Sequence, residues 1–226
     1  MNNLKRPDRQ GLYSPEFEHE NCGIGFVTQL KGKKSHDIIE KGLETLENMT
    51  HRGAEGADSK TGDGAGILVQ IPRDFYLIQG YSLPPEGQFG TGIIFLPGDK
   101  AEAAKCKEVL TELIAGENID VIGFRDVPRD NSTIGEVAKA AEPAMEQILL
   151  GADMDQDTLE RKLFIIRKKA EKRISESNLK EKHLFYICSL STRVLIYKGM
   201  LTSEQLREYY LDLQDKRFQS AIALVH

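Results

Sequence analysis

Glu18-His19-Glu20-Asn21-Cys22-Gly23-Ile24-Gly25-Phe26 sets a cysteine at the junction between an irregular leader and a glycine-rich strand. Upstream, residues 1–21 hold Pro7, Gly11, Pro15 and many polar side chains, with no sustained period of two or 3.6. Downstream, Gly23 to Leu30 mixes apolar and β-branched residues and closes on Lys31-Gly32-Lys33-Lys34, as a strand ended by a turn does. Such a junction is a suitable cleavage point. Cutting the Asn21–Cys22 bond exposes an α-amino group with a typical pKa of about 7.7–8.0, so about a tenth is neutral at pH 7 and can take the proton of its own thiol. Gly23 and Gly25 would let a substrate lie close to the strand backbone. The plain alternative is a buried cysteine at a strand start.

Beyond that strand the pattern turns helical. Ser35 can cap a helix, Asp37 suits its positive end, and Ile39, Leu43, Leu46 and Met49 form one apolar stripe that stops at His51-Arg52-Gly53. His51 and Arg52 offer a base and an anion binder, although the helix dipole favours cations at a C-terminus without any catalysis. A loop rich in Gly, Asp and Ser leads to Thr61-Gly62-Asp63-Gly64-Ala65-Gly66 and a strand at Ile67–Ile71. The loop lacks the Gly-Lys-Ser/Thr of a phosphate cradle, so tight packing of its backbone on the next strand is the expectation. Strand, helix and strand follow at 91–96, 100–115 and 119–127. A longer helix spans 157–177, with Leu159, Leu163, Ile166, Ala170 and Ile174 on one side. Leu184–Tyr197 reads as a hairpin turning at Ser191-Thr192, 202–211 as a helix, and 220–226 as a strand. A chain that stops in an apolar strand reads as a fragment.

Composition narrows the class. Across 226 residues, 30 Lys+Arg oppose 35 Asp+Glu for a net charge of −5, with 40% hydrophobic and 29% charged residues, values of an ordinary globular protein rather than a disordered one. No run reaches the roughly 20 apolar residues of a membrane span, so a cytoplasmic protein is expected, with no membrane partner. Cys22, Cys106 and Cys188 are too far apart for a C-x-x-C pair, and the histidines show no paired metal spacing, so no metal site is expected. Cys106 and Cys188 read as small buried hydrophobes. Between Glu160 and Arg173, seven cations face two acids, but only Phe164 is aromatic. A solvated face or a contact with an acidic domain is expected there, rather than nucleic acid.

The segments His19–Phe26, Leu46-Glu47-Asn48-Met49-Thr50-His51-Arg52-Gly53-Ala54 and Thr61–Gly66 together resemble the large subunit of glutamate synthase, and the tail Tyr209–Gln214 and Ser220–His226 is similar too. The resemblance implies the glutaminase domain of a class II glutamine amidotransferase. Its implied fold is α+β, an N-terminal-nucleophile hydrolase with a four-layer α/β/β/α sandwich, of which only the N-terminal half is present. It implies a leader at 1–21 and an incomplete domain at 22–226. It puts the nucleophile on Cys22, with the freed amine as base, attacking L-glutamine to give a glutamyl thioester and ammonia. In the longer protein the ammonia meets 2-oxoglutarate with FMN, an iron–sulfur cluster and electrons from NADPH, NADH or ferredoxin; no cofactor is expected in this chain. Implied partners are the remainder of the large subunit and a small subunit.

In that family a Ser-Arg-Phe segment, an Asn-Gly oxyanion hole and an aspartate for the substrate amine follow the final histidine, beyond His226. A lost oxyanion donor alone costs about 10²–10³ in rate, so the chain by itself is expected to be a poor glutaminase. A rival reading is a non-catalytic remnant that docks on a separately encoded remainder. Another class II amidotransferase, making glucosamine phosphate or a purine precursor, fits less well, because those relatives expose cysteine after loss of Met alone.

Overall fold

A computed structural model describes residues 23–50 and 60–226, so the leader, Cys22 and the His51-Arg52-Gly53 motif lie outside the described residues. In chain order the elements are β1 (Gly25–Thr28), α1 (His36–Glu47), β2 (Ala65–Gln70), α2 (Arg73–Ile78), β3 (Phe89–Leu96), α3 (Lys100–Ala115), β4 (Asp120–Asp126), α4 (Glu136–Ala140), β5 (Ala144–Gly151), α5 (Gln156–Ser175), β6 (Tyr186–Ile187), β7 (Val194–Gly199), α6 (Gln205–Tyr209) and β8 (Ile222–Val225). The strands form two four-stranded antiparallel sheets, ordered β1-β8-β2-β7 and β4-β5-β3-β6.

Alternation explains the first sheet. Ala65, Ile67 and Val69 of β2 are buried while Gly66, Leu68 and Gln70 turn to the other face. The buried set joins Ala223 and Val225 of β8 under Ile38, Ile39, Leu43 and Leu46 of α1. In the second sheet both faces are covered, so β3 is buried almost throughout and apolar except at Thr91. Ile94, Leu96, Ile148 and Leu150 pack against Leu110 and Ile114 of α3 and Leu159, Leu163 and Ile166 of α5. Phe89, Ile93, Met145 and Leu149 on the opposite face join the first core through Phe75, Tyr76, Tyr197 and Tyr210. The result is α1, sheet, sheet, then α3 with α5: a mixed α/β architecture of the N-terminal-nucleophile hydrolase kind.

A buried polar network pins the two sheets. Arg125 of β4 donates to Asp212 at 2.8 and 2.5 Å, to Gln147 of β5 at 3.0 Å and to Gln79 at 3.1 Å. Tyr197 of β7 donates to Asp212 at 2.8 Å, and Gln147 donates in turn to Tyr76 and to Thr91 of β3. Arg125 is 8% and Asp212 2% exposed, so the pair depends on this full set of partners. Burial works to lower the Arg125 pKa, and the Asp212 bonds and charge outweigh it and raise it.

Several expectations need correction. Leu184–Tyr197 is no hairpin: β6 pairs with β3 and β7 with β2, so the chain changes sheets at Ser191-Thr192. The Glu160 carboxylate secures that crossing, accepting from Ser191 Oγ at 2.7 Å and the Thr192 N–H at 2.6 Å. Ser35 stands at the N-cap of α1 but its side chain makes no capping bond; its backbone instead bridges to Ser220 at 3.0 and 3.2 Å. The helix expected over 202–211 is only α6, followed by a 3₁₀ turn at Leu211–Gln214. β5, the strand between β4 and β3, was not expected, nor were α2 and α4. The cations of α5 largely find acids: Lys162 and Lys169 reach Glu117, Arg173 reaches Glu112, and Arg167 and Lys168 share Glu171. No helix among the described residues is long and apolar enough to cross a membrane.

Candidate functional site

The face of the first sheet turned away from α1 lines a cleft rather than a closed core. Phe26, Leu68, Ile196 and Leu224 share it through the pairs Phe26↔Leu224, Leu68↔Leu224 and Leu68↔Ile196. Phe26 is 66% and Leu224 38% exposed, although both sit in strands. Leu68, Ile196 and Leu224 form one wall of a cleft of about 1270 Å³ whose opposite wall includes Phe95 and Tyr186 of the second sheet. On Lys198, the ammonium lies 4.1 Å from the Tyr186 ring centroid and donates to its hydroxyl at 2.9 Å, closing one corner.

Each segment that carries the family resemblance contributes described residues to this cleft. Cys22 is outside the described residues, but Gly23, bonded to it, lines the cleft. Thr50 and Lys60, which flank the segment bearing His51-Arg52-Gly53, both line it, as does the turn Gly62–Gly66. A Cβ on Gly62 would stand 2.3 Å from the Leu201 carbonyl oxygen, and Gly64 has φ near +149°, so this turn needs glycine for close packing and for its backbone. The backbone is tightly packed as expected, but against Leu201–Thr202 and β7 rather than against the next strand. His226 pairs with Gly66 through bonds of 2.9 and 3.1 Å, which brings the tail motif to the same place.

Burial pushes the other two thiols away from reactivity. Cys106 is raised to about 11 and Cys188 to about 12, both chiefly by burial, so neither is a thiolate near neutral pH. They lie in different cores, as the small hydrophobes they were expected to be. An iron–sulfur cluster needs gathered thiolates. Among the described residues no group of three or more His, Cys, Asp or Glu comes together. These residues do not fit a cluster. Glu142, half-buried, also lines the cleft: burial works to raise its pKa, but hydrogen bonds from Tyr209, Asn131 and Arg129 outweigh it and hold the carboxyl low. It is a fixed anion rather than a proton donor.

Sequence reading missed Lys198, Glu142 and Gln205, which line the cleft from β7, the link between α4 and β5, and α6. Local spacing does not reveal their long-range bonds, to Tyr186, Tyr209 and Lys60, which lie 12, 67 and 145 residues away.

Residues 22–226 match the class II glutamine amidotransferases, from the cysteine to the last residue. The chain is similar to the glutamate synthase [NADPH] large chains of Bacillus subtilis (strain 168), 45% identical over 97% of this chain, and of Azospirillum brasilense, 42% identical over 95%. It is similar also to the ferredoxin-dependent glutamate synthase of Pyropia yezoensis, at 36% identity over 95% of the chain. It spans only 14% of the length of each of these relatives. With a family match that covers nine-tenths of its residues and opens on Cys22, this chain belongs to the class II glutamine amidotransferases, as a domain homologous to the N-terminal region of the glutamate synthase large chain.

Proposed function

We propose that the chain supplies the nucleophile-bearing part of a glutaminase, hydrolysing L-glutamine to glutamate and ammonia. The single observation that carries this reading is the family match beginning at Cys22. Residues 1–21 are a leader whose removal frees the Cys22 α-amine. That amine takes the thiol proton, and Sγ attacks the side-chain amide carbon of glutamine. The tetrahedral intermediate collapses as the amine returns the proton to the leaving nitrogen, giving ammonia and a γ-glutamyl thioester. Water, deprotonated by the same amine, cleaves the thioester to glutamate and restores the thiol. Nucleophile and base thus sit on one residue, and the cleft beside Gly23 receives the substrate.

In the longer protein the ammonia would condense with the keto carbon of 2-oxoglutarate, losing water, and FMN with an iron–sulfur cluster would supply the two electrons, drawn from NADPH, NADH or ferredoxin, that reduce the imine to glutamate. The partners are the remainder of that large subunit and a small subunit, and the compartment is the cytoplasm. The test is Cys22→Ala in the protein at the length its cells make. Glutamine-dependent glutamate formation is expected to disappear while synthesis supported by added ammonia persists. Retention of glutaminase activity would overturn the assignment.

A further inference from the structure

Residues 202–205 touch the rim of the cleft at several separate points. Gln205 is only 7% exposed, and its amide is fully used. Its Oε1 accepts the Thr202 N–H at 2.9 Å, and its Nε2 donates to the carbonyl oxygens of Lys60 and Thr133, each at 2.9 Å. The Lys60 oxygen takes a second bond, from the Gly135 N–H at 3.0 Å. Two residues on, Gly62 packs against the backbone of Leu201 and Thr202 so closely that no Cβ fits. On the other side, the Thr50 hydroxyl lies 2.6 Å from Ser203 Oγ and 3.3 Å from Glu204 Oε1. The stretch therefore fixes both Thr50 and Lys60, the residues on either side of 51–59, together with the glycine turn that forms the cleft's rim.

We propose that Gln205 is a positioning residue for glutamine binding, holding the Lys60–Gly66 rim in the geometry that the substrate requires, while its neighbours Ser203 and Glu204 hold Thr50 on the other side. The proposal rests on the glutaminase reading above. It separates binding from chemistry: the groups held by Gln205 are walls of the cleft, whereas the proposed base is bonded to Cys22 and does not depend on them. Loss of the clamp should therefore weaken recognition of a glutamine-shaped molecule and leave the thiol itself as reactive as before.

Gln205→Glu is isosteric and sets a carboxylate oxygen against two carbonyl oxygens in place of the two N–H donors. Two alkylating probes read the outcome on the protein at its native length: the glutamine analogue 6-diazo-5-oxo-L-norleucine, which must occupy the cleft, and iodoacetamide, which needs only the thiolate. Labelling of Cys22 by the analogue is expected to slow by about ten- to a hundredfold, the scale of a displaced binding wall, while the iodoacetamide rate stays within about twofold. Thr50→Val, at an exposed position, is the second variant in case Gln205→Glu fails to fold, and it should slow the analogue alone by a smaller factor. Equal rates in wild type and variants, or equal slowing by both probes, would overturn the positioning role. A wild-type protein whose Cys22 shows no preference for the analogue would overturn the glutaminase reading and this inference with it.

Discussion

Arg125 makes four hydrogen bonds to three side chains, and its ionic partner, Asp212, lies 87 residues away in sequence. Nothing in the sequence around either residue announces the pair, because a buried ion pair has no local pattern; only its environment distinguishes it from surface charge. Its energetic role is asymmetric. Taking away one partner leaves the other charge buried without compensation, whereas replacing both with apolar groups of similar volume removes the desolvation penalty together with the attraction. Asp212→Ala is therefore expected to cost about 3–5 kcal/mol, and Arg125→Met with Asp212→Leu distinctly less. Urea unfolding of the three proteins checks this, and equal losses in single and double variants would contradict it. At the same scale, Cys106 and Cys188 were legible from their apolar surroundings. Gln205 was not, since two of its three partners, Lys60 and Thr133, lie 145 and 72 residues away.

Among elements, legibility followed how far local chemistry decides the outcome. α3 falls over 100–115, as its pattern indicated, and Asp99 caps it by accepting from Ala101 and Glu102 at 3.0 and 2.9 Å. β5 escaped notice because Met145-Glu146-Gln147 carries no β-branched residue, and its strand conformation comes from the neighbours β3 and β4 on both sides. The supposed hairpin failed for the converse reason. Two apolar runs close in sequence suggest pairing, yet Glu160 of α5 holds the bend between them and sends β7 to the other sheet. Caps give a test at this scale. Asp155 accepts the Thr158 N–H at 3.0 Å at the start of α5, whereas Ser35 makes no side-chain cap for α1. Asp155→Ala should destabilise by about 1 kcal/mol and Ser35→Ala by no more than a few tenths. Denaturant midpoints at constant slope measure both, and a larger loss for Ser35→Ala would refute the distinction.

For the molecule as a whole, the α/β/β/α order was legible only through the resemblance, not through periodicity. Strand pairing supplies the reason: β8, last in sequence, lies between β1 and β2, a closure that no local pattern reveals. That same closure brings Gly23, the Gly62–Gly66 turn and His226 to one cleft between the sheets, and gives motifs scattered over two hundred residues a common place. The account's central claim is that this cleft serves a nucleophile unmasked at position 22. The most direct test is the intact mass and N-terminal peptide of the active protein isolated from its native cells. The account predicts a mature chain that begins at Cys22 with a free α-amine. A fully active glutaminase still carrying residues 1–21 would contradict it.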